Sequence, residues 1–120
     1  MRYMILLAAP LLIGAAGDMS VATFLQKADA LKAKGPLALM SSDLGLLKRE
    51  GQGAAKVYTA RQKAALARGD KSIGCPPKGT RYTSNDFLAD MRAVPAAERS
   101  RTTITQGLAR GMARRFPCAG

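Results

Sequence analysis

The sequence contains no histidine, no tryptophan and only two cysteines among its 120 residues. Without histidine, the chain cannot assemble a Ser-His-Asp triad or a Cys-His pair, the common arrangements for activating a nucleophile. Two cysteines without a C-x-x-C spacing also fall short of the four ligands of a structural zinc site. We therefore expect a protein that is not an enzyme and holds no metal and no cofactor. A Ser-Lys pair stays open as a catalytic alternative.

Aromatic residues are also scarce, since the chain has three Phe and three Tyr. The core must then be built mainly from Leu, Ala, Met, Val and Ile. Small aliphatic side chains suit helices that approach each other closely better than they suit a β-sandwich. The composition therefore favours an all-α fold.

The first residues have the order of segments that is typical of a secretory signal peptide. Arg2 gives a positive start, the apolar run MILLAAPLLIG follows, and the small residues AAG come next. The run is shorter than the about 20 apolar residues that span a bilayer, so we expect no stable membrane anchor. We expect cleavage after Gly17, with Ala15 at position −3, or after Ala16; a buried N-terminal helix is the alternative. The signal peptide would then be 1–17 and residues 18–120 a single periplasmic helical domain.

Export determines how Cys75 and Cys118 are interpreted. In an oxidising compartment, two cysteines of a short chain normally pair, and only one intramolecular pairing exists. A metal site would lack ligands, and a catalytic thiol would lack an obvious base. The sequence predicts a Cys75–Cys118 disulfide that joins the two ends of a C-terminal helical hairpin and holds a C-terminus that would otherwise fray.

Hydrophobic periodicity and cap residues predict a small bundle of about four helices in the mature chain. We expect them over residues 20–35, 41–69, 83–94 and 102–115. Ser20 is the expected N-cap of the first helix, which Gly35-Pro36 ends, and Pro95 ends the third helix and marks a turn. Thr83 and Asp86 have the spacing of a capping box at the start of the third helix. Asp86 and Asp90 lie one turn apart there, and we attribute both to complementation of the helix dipole.

Glycines interrupt two of these helices. Gly51 and Gly53 indicate either a kink in the second helix or a close approach by another part of the backbone. Gly107 and Gly111 form a G-x-x-x-G step on the fourth helix, which allows a neighbouring helix to approach closely. An apolar face that includes Tyr58 runs along the second helix, and we expect Tyr58 to belong to the core.

The chain is strongly basic, with a formal net charge of +11, or +10 once Arg2 is removed with the leader. Such a surface raises association rates with anionic partners. Outside the inner membrane these are lipid headgroups, cell-wall polymers and acidic proteins. The basic residues form no dense tail and no patch interleaved with aromatics, so we expect no nucleic-acid partner. A surface that only maintains solubility is the alternative.

The segment from about Gly51 to Cys118 resembles the Rap/Tai family, small exported immunity proteins of type VI secretion systems. The similarity lies in the order of AAKVYTARQKAAL, CPP, VPAAERSRT and the ending RRFPC. The resemblance implies a small helical periplasmic protein that binds and blocks a cell-wall amidase effector. It also makes a homodimer a reasonable expectation. The chain departs from the family in lacking the cysteines of a second disulfide between the first two helices.

If the protein is such an inhibitor, the connection after Cys75 is the predicted partner-binding segment, because the disulfide and two prolines restrain it. It carries Lys78, Arg81 and Tyr82, and Tyr and Arg are frequent hot-spot residues. The alternative for Tyr82 is a partly buried side chain that packs beside Phe87.

Two other function classes stay open. One is a periplasmic holdase that resembles the acid-stress chaperones of the HdeA type, which expose apolar surface on partial unfolding. The absence of histidine removes the usual titrating group near neutral pH, so its carboxylates would have to sense acid. The other is a cationic envelope-binding protein, for which the net charge argues.

Overall fold

The computed structural model describes residues 15–119, so positions 1–14 of the predicted signal peptide lie outside the described range. The predicted all-α fold is confirmed, and each predicted helix end lies within two residues of the observed one. The four α-helices are, in chain order, α1 Val21–Lys34, α2 Ser42–Ala67, α3 Ser84–Arg92 and α4 Ile104–Arg115.

Side-chain caps fix where all four of these helices begin, and on α2 the Ser41 hydroxyl accepts a hydrogen bond from the Asp43 N–H at 3.2 Å. Ser20 accepts a hydrogen bond from the backbone N–H three residues later at the start of α1. Thr83 and Asp86 form the predicted capping box of α3. Thr103 and the glutamine three residues later form a second capping box, on α4, which the sequence reading did not identify. Each cap satisfies backbone donors that have no partner inside the helix.

Two 3-10 helices lie between the α-helices. The first, Gly35–Met40, follows the predicted Gly-Pro stop of α1, and the second, Ala96–Arg101, occupies the predicted turn after Pro95. The sequence reading did not predict either. Each has six residues, or two turns, which is too few for a hydrophobic period to be recognised.

The core lies where α4 packs against both α2 and α3, with α1 across the other three helices. Phe24 and Phe87 meet edge to face with ring centroids 5.3 Å apart. The remaining buried side chains are mostly aliphatic, as the composition predicts. The core consists of Val21, Phe24, Leu25, Leu31, Leu47, Ala54, Tyr58, Met91, Val94, Ile104, Leu108 and Met112.

Glycine allows α3 and α4 to approach each other closely, as the G-x-x-x-G step predicts. Gly107 faces the side chain of Met91, and Gly111 faces the carboxylate of Asp90. A β-carbon at Gly111 would overlap that carboxylate. On α2, Gly53 contacts Ala16 and so reflects a close backbone approach, whereas a β-carbon at Gly51 would meet nothing within 4 Å.

The predicted disulfide is present, and its Cα atoms are 4.9 Å apart. Cys75 lies in the connection before α3, and Cys118 follows α4. The Cys75 N–H also donates to the Phe116 carbonyl at 2.7 Å. The bond therefore closes the α3–α4 hairpin, as predicted.

Removing the disulfide should lower the free energy of unfolding substantially. The bond spans 43 positions, and closing a loop of that length contributes roughly 4 kcal/mol in the chain-entropy model. We expect the double variant Cys75→Ser/Cys118→Ser to show this loss in urea unfolding followed by circular dichroism. The wild type under reducing conditions is the control and should match the variant. Equal stability of the oxidised and reduced wild type would contradict the prediction.

Substitution by alanine should have opposite effects on stability at two glycines, one at the α3–α4 contact and one on α2. Gly111→Ala should destabilise the protein by about 1–3 kcal/mol, because the new methyl group displaces the buried Asp90 carboxylate. Gly51→Ala is the matched control and should stabilise α2 by up to about 1 kcal/mol, since open space surrounds it. Thermal unfolding of both variants measures the difference. A Gly111→Ala protein as stable as wild type would contradict the close contact between Gly111 and the Asp90 carboxylate.

Candidate protein-binding groove

A long groove runs between α1, α2, α3 and the connection that precedes α3. Its volume is about 1480 Å³. Small-molecule pockets usually enclose about 300–1,000 Å³, so the groove is large for a small ligand and suits a segment of polypeptide.

The groove is largely apolar, and all four α-helices contribute to it. Its floor includes side chains of the core, so the groove is an opening onto the hydrophobic core itself. Its apolar side chains include Phe24, Ala28, Leu31, Leu44, Leu47, Ala55, Phe87, Leu88, Leu108 and Met112.

Tyr58 joins the floor of the groove to the connection. Its side chain is 4% exposed, which confirms its predicted place in the core. Its hydroxyl donates to the Ile73 carbonyl at 2.9 Å, and one turn later Gln62 donates to the Gly74 carbonyl at 3.1 Å. Burial raises the pKa of the Tyr58 hydroxyl. The tyrosine therefore stays a neutral donor that fixes the chain just before Cys75.

Tyr82 forms part of the groove wall, at the end of the connection. It is half-buried, its hydroxyl donates to Asp90 Oδ2, and the Arg115 guanidinium lies 5.5 Å from its ring centroid. Burial, followed by the hydrogen bond to the Asp90 carboxylate, raises the pKa of Tyr82 strongly. One edge of Tyr82 is thus fixed by the protein while the residue still lines the groove.

Asp90 is the buried polar centre beneath this wall, with only 3% of its surface exposed. Arg114 donates to its Oδ1 at 3.0 Å, and Arg115 Nε lies 3.1 Å from both carboxylate oxygens. The hydrogen bond to Asp90 raises the pKa of Arg115. The expectation that Asp90 complements the dipole of α3 is therefore corrected. Its partners lie on α4 and in the connection that precedes α3. Only tertiary packing supplies them.

Asp86 has the local role that its position predicts. The Thr83 backbone N–H donates to its carboxylate at 2.9 Å, and this hydrogen bond lowers the pKa of Asp86. Arg115 lies 3.6 Å away and adds a weaker ion pair.

The predicted partner-binding residues are only partly brought together. Tyr82 lines the groove, whereas Lys78 and Arg81 are exposed and do not line it. The residues of the connection that line the wall are Pro76, Pro77, Gly79, Thr80, Tyr82 and Thr83. The binding roles of Lys78, Arg81 and Tyr82 stay predictions.

The charged side chains that line the groove are all basic. Its charged lining residues are Lys32, Lys48 and Arg92, and no carboxylate belongs to the lining described. Arg92 pairs with Asp29 at 2.8 Å. Neither lysine forms an ion pair with residues in the range 15–119, so both leave a positive field at the groove.

An exposed apolar segment adjoins the groove. The first 3-10 helix contributes Gly35 and Ala38 to the lining, while Leu37, Leu39 and Met40 are 68%, 79% and 85% exposed. The sequence reading missed this surface. The available signal was the run GPLALM directly after the stop of α1. It places three large apolar side chains in a segment of only six residues.

A second cavity of about 710 Å³ lies between the end of α2 and α4. Four arginines line it, but three of them pair with carboxylates: Arg68 with Asp70, Arg110 with Glu98 and Arg114 with Asp90. Its positive charge is therefore largely neutralised locally, which makes it a weaker candidate than the groove.

Within residues 15–119, no group of three or more acidic or cysteine side chains is arranged to hold a metal ion. No helix in the described part of the chain is long and apolar enough to cross a membrane. Comparison with known proteins returned no matching family model, no matching curated protein and no matching solved structure. The resemblance to the Rap/Tai family stays a hypothesis.

The Asp90 cluster predicts that buried and exposed aspartates differ in their effect on stability. Asp90→Asn should lower the free energy of unfolding by about 2 kcal/mol, because hydrogen bonds to a buried charge are lost. Asp29→Asn is the matched control. It removes the exposed pair with Arg92 and should cost less than about 1 kcal/mol. Chemical unfolding at neutral pH compares the two, and equal losses would argue against the role assigned to Asp90.

Proposed function

We propose that this protein is an exported, non-enzymatic binding protein that receives an apolar segment of a partner protein in its groove. The observation that carries the proposal is an apolar groove of about 1480 Å³ that opens onto the core. Lysines line this groove, and no carboxylate within residues 15–119 does. A groove of this kind suits an amphipathic helix or an extended strand. The disulfide, compatible with an oxidising compartment, supports export.

The partner segment should be apolar with acidic residues at its flanks. Lys32 and Lys48 lie on different helices at the groove. Acidic flanks on the partner would meet them, while apolar side chains cover the floor. The net charge of +11 over the whole chain favours fast encounter with such a partner.

The specific form of this proposal is an immunity-type inhibitor that blocks a cell-wall-degrading amidase in the periplasm. The resemblance to Rap/Tai proteins suggests the amidase. The structure offers a restrained wall beside the groove, in which Tyr82 is held by Asp90. Lys78 and Arg81 are exposed on the same connection and are available to contact the effector beyond the groove. Inhibition would then be steric, with the basic protein covering the active-site cleft.

A periplasmic holdase is the second candidate, and the exposed first 3-10 helix favours it. Leu37, Leu39 and Met40 offer apolar surface without prior unfolding. A holdase would bind many unfolded proteins, whereas an inhibitor binds one folded protein with defined stoichiometry.

A matched pair of alanines on α2 tests the groove. Ala55 lines it, and Ala60 is exposed on the same helix outside it. We expect Ala55→Glu to weaken partner binding at least tenfold, because it introduces a carboxylate into an apolar site that faces acidic flanks. Ala60→Glu changes the net charge equally and should leave binding unchanged. The ligand is a peptidoglycan amidase first captured from secreted and periplasmic proteins on the oxidised protein, then purified and titrated by calorimetry.

The same titration measures amidase activity. Complete inhibition at a 1:1 ratio, lost in Ala55→Glu and reduced in Lys78→Glu/Arg81→Glu, is the expected result. Suppressed aggregation of several unrelated unfolded proteins, with no amidase inhibited, would replace the inhibitor by the holdase. Salt-sensitive pelleting with anionic vesicles or cell wall would indicate an envelope-binding protein instead. Light scattering of the unbound protein shows whether it forms the homodimer that the resemblance suggests.

A further inference from the structure

The N-terminal segment is built into the fold from Gly17 onward, whereas Ala15 and Ala16 before it are exposed. Its residues pair with the start of α4 through an antiparallel bridge between Ser20 and Thr103. The Val21 N–H donates to the Thr102 carbonyl at 2.8 Å, and the Ile104 N–H donates to the Met19 carbonyl at 2.9 Å. Residues 17–20 are thus part of the domain, although they lie only a few positions after the apolar run of the predicted leader.

We propose that the signal peptide is removed between Ala16 and Gly17, and that the new α-ammonium group of Gly17 pairs with the carboxylate of Glu50. The proposal rests on the exported character assigned under the proposed function. It selects one of the two cleavage positions that the small residues AAG allow.

Gly17 is held from both sides of its backbone. Its N–H donates to Glu50 Oε1 at 2.9 Å, and the same oxygen accepts the Met19 N–H at 3.2 Å. Its carbonyl accepts a buried hydrogen bond of 2.9 Å from Thr105 Oγ1 and a second of 3.3 Å from the Thr105 N–H. Cleavage after Gly17 would remove all of these contacts except the one that Met19 makes.

The site at Gly17 accepts only glycine. The residue is buried, and in the uncleaved chain its φ of +102° lies in the region that side chains disfavour. An added β-carbon would lie 2.7 Å from Thr105 Oγ1 and 3.0 Å from the backbone nitrogen of Ala54. This fit is a reason to retain Gly17 in the mature domain.

The two residues before Gly17 are exposed, and the local sequence fits a cut between Ala16 and Gly17. Ala15 and Ala16 are exposed; the Ala15 N–H donates to Asp18 Oδ2 at 3.2 Å at the surface, and Ala16 touches α2 at Gly53. A cut after Ala16 places Ala16 at −1 and Gly14 at −3, both small. A cut one residue earlier would place Ile13 at −3, which does not fit the small-residue pattern.

Hydrolysis changes the group that faces Glu50. Water adds across the Ala16–Gly17 peptide bond, so that Ala16 leaves with a carboxylate and the nitrogen of Gly17 becomes an ammonium group at neutral pH. That nitrogen already lies 2.9 Å from Glu50 Oε1 in a partly buried site. A hydrogen bond between two charged groups then replaces one between a neutral amide and a carboxylate, which adds the Coulombic attraction between the ammonium group and Glu50. Processing would therefore tighten the junction between the N-terminus, α2 and α4.

The first experiment identifies the mature N-terminus. The full chain, with its leader, is produced in a bacterium that exports it, and the periplasmic protein is analysed by intact mass and N-terminal sequencing. A mature protein that starts at Gly17 is the expected result. A start at Asp18 or later overturns the proposed cleavage and leaves export intact. An uncleaved chain that stays in the cytoplasm overturns both, whereas the groove titration uses leaderless protein and is independent of this result.

The second experiment isolates the ammonium–carboxylate pair. Proteins that start at Gly17 and at Ala16 are released from a cleavable tag without extra residues, each with and without Glu50→Gln. The start at Ala16 keeps the Gly17 amide but moves the ammonium group away by one residue. We expect Glu50→Gln to lower the melting temperature more in the Gly17 form, by about 4 °C. Equal shifts in both forms would overturn the pairing, and a protein that starts at Asp18 should melt below the Gly17 form.

Discussion

The buried Asp90 carboxylate is the interaction on which the C-terminal half of the molecule depends. It is bound by two arginines of α4 and by the hydroxyl of Tyr82, and it therefore joins two helices to the connection before α3. A carboxylate this deeply buried is stable only while its partners stay in place. Gly111 makes the geometry possible, because any side chain there would occupy the space of the carboxylate. The position of the groove wall follows from this cluster.

The connection between α2 and α3 is irregular, yet it is held at several points along its length. Tyr58 and Gln62 bind its carbonyl groups from α2, Cys75 binds it covalently to the C-terminus, and Tyr82 fixes its end to Asp90. A loop fixed in this way loses little further conformational entropy when it binds a partner. This gives a physical basis for regarding the connection, together with the groove beside it, as a binding surface.

Several features were predictable because they are local or are restricted by counting. The periodicity of the helices, the caps at Ser20 and Thr83 and the stop at Gly35 depend on neighbouring residues, and each helix formed within two residues of its predicted ends. The disulfide was predictable because two cysteines allow one pairing. The groove was not, because it arises where four helices leave a space between them, and no single segment encodes that space. The role of Asp90 was missed for the same reason, since Arg114 and Arg115 lie more than twenty positions away.

The sequence by itself determined that this is a small, basic, all-α protein with one possible disulfide, since these properties follow from composition and short-range pattern. The tertiary structure decided which polar groups are buried and where apolar surface stays open. It placed Tyr82 in the groove wall and left Lys78 and Arg81 exposed beside it. It also brought Glu50 to the backbone of Gly17, a contact across 33 positions that no local pattern contains. Such contacts depend on how the helices pack, because packing fixes distances between residues that the sequence leaves far apart.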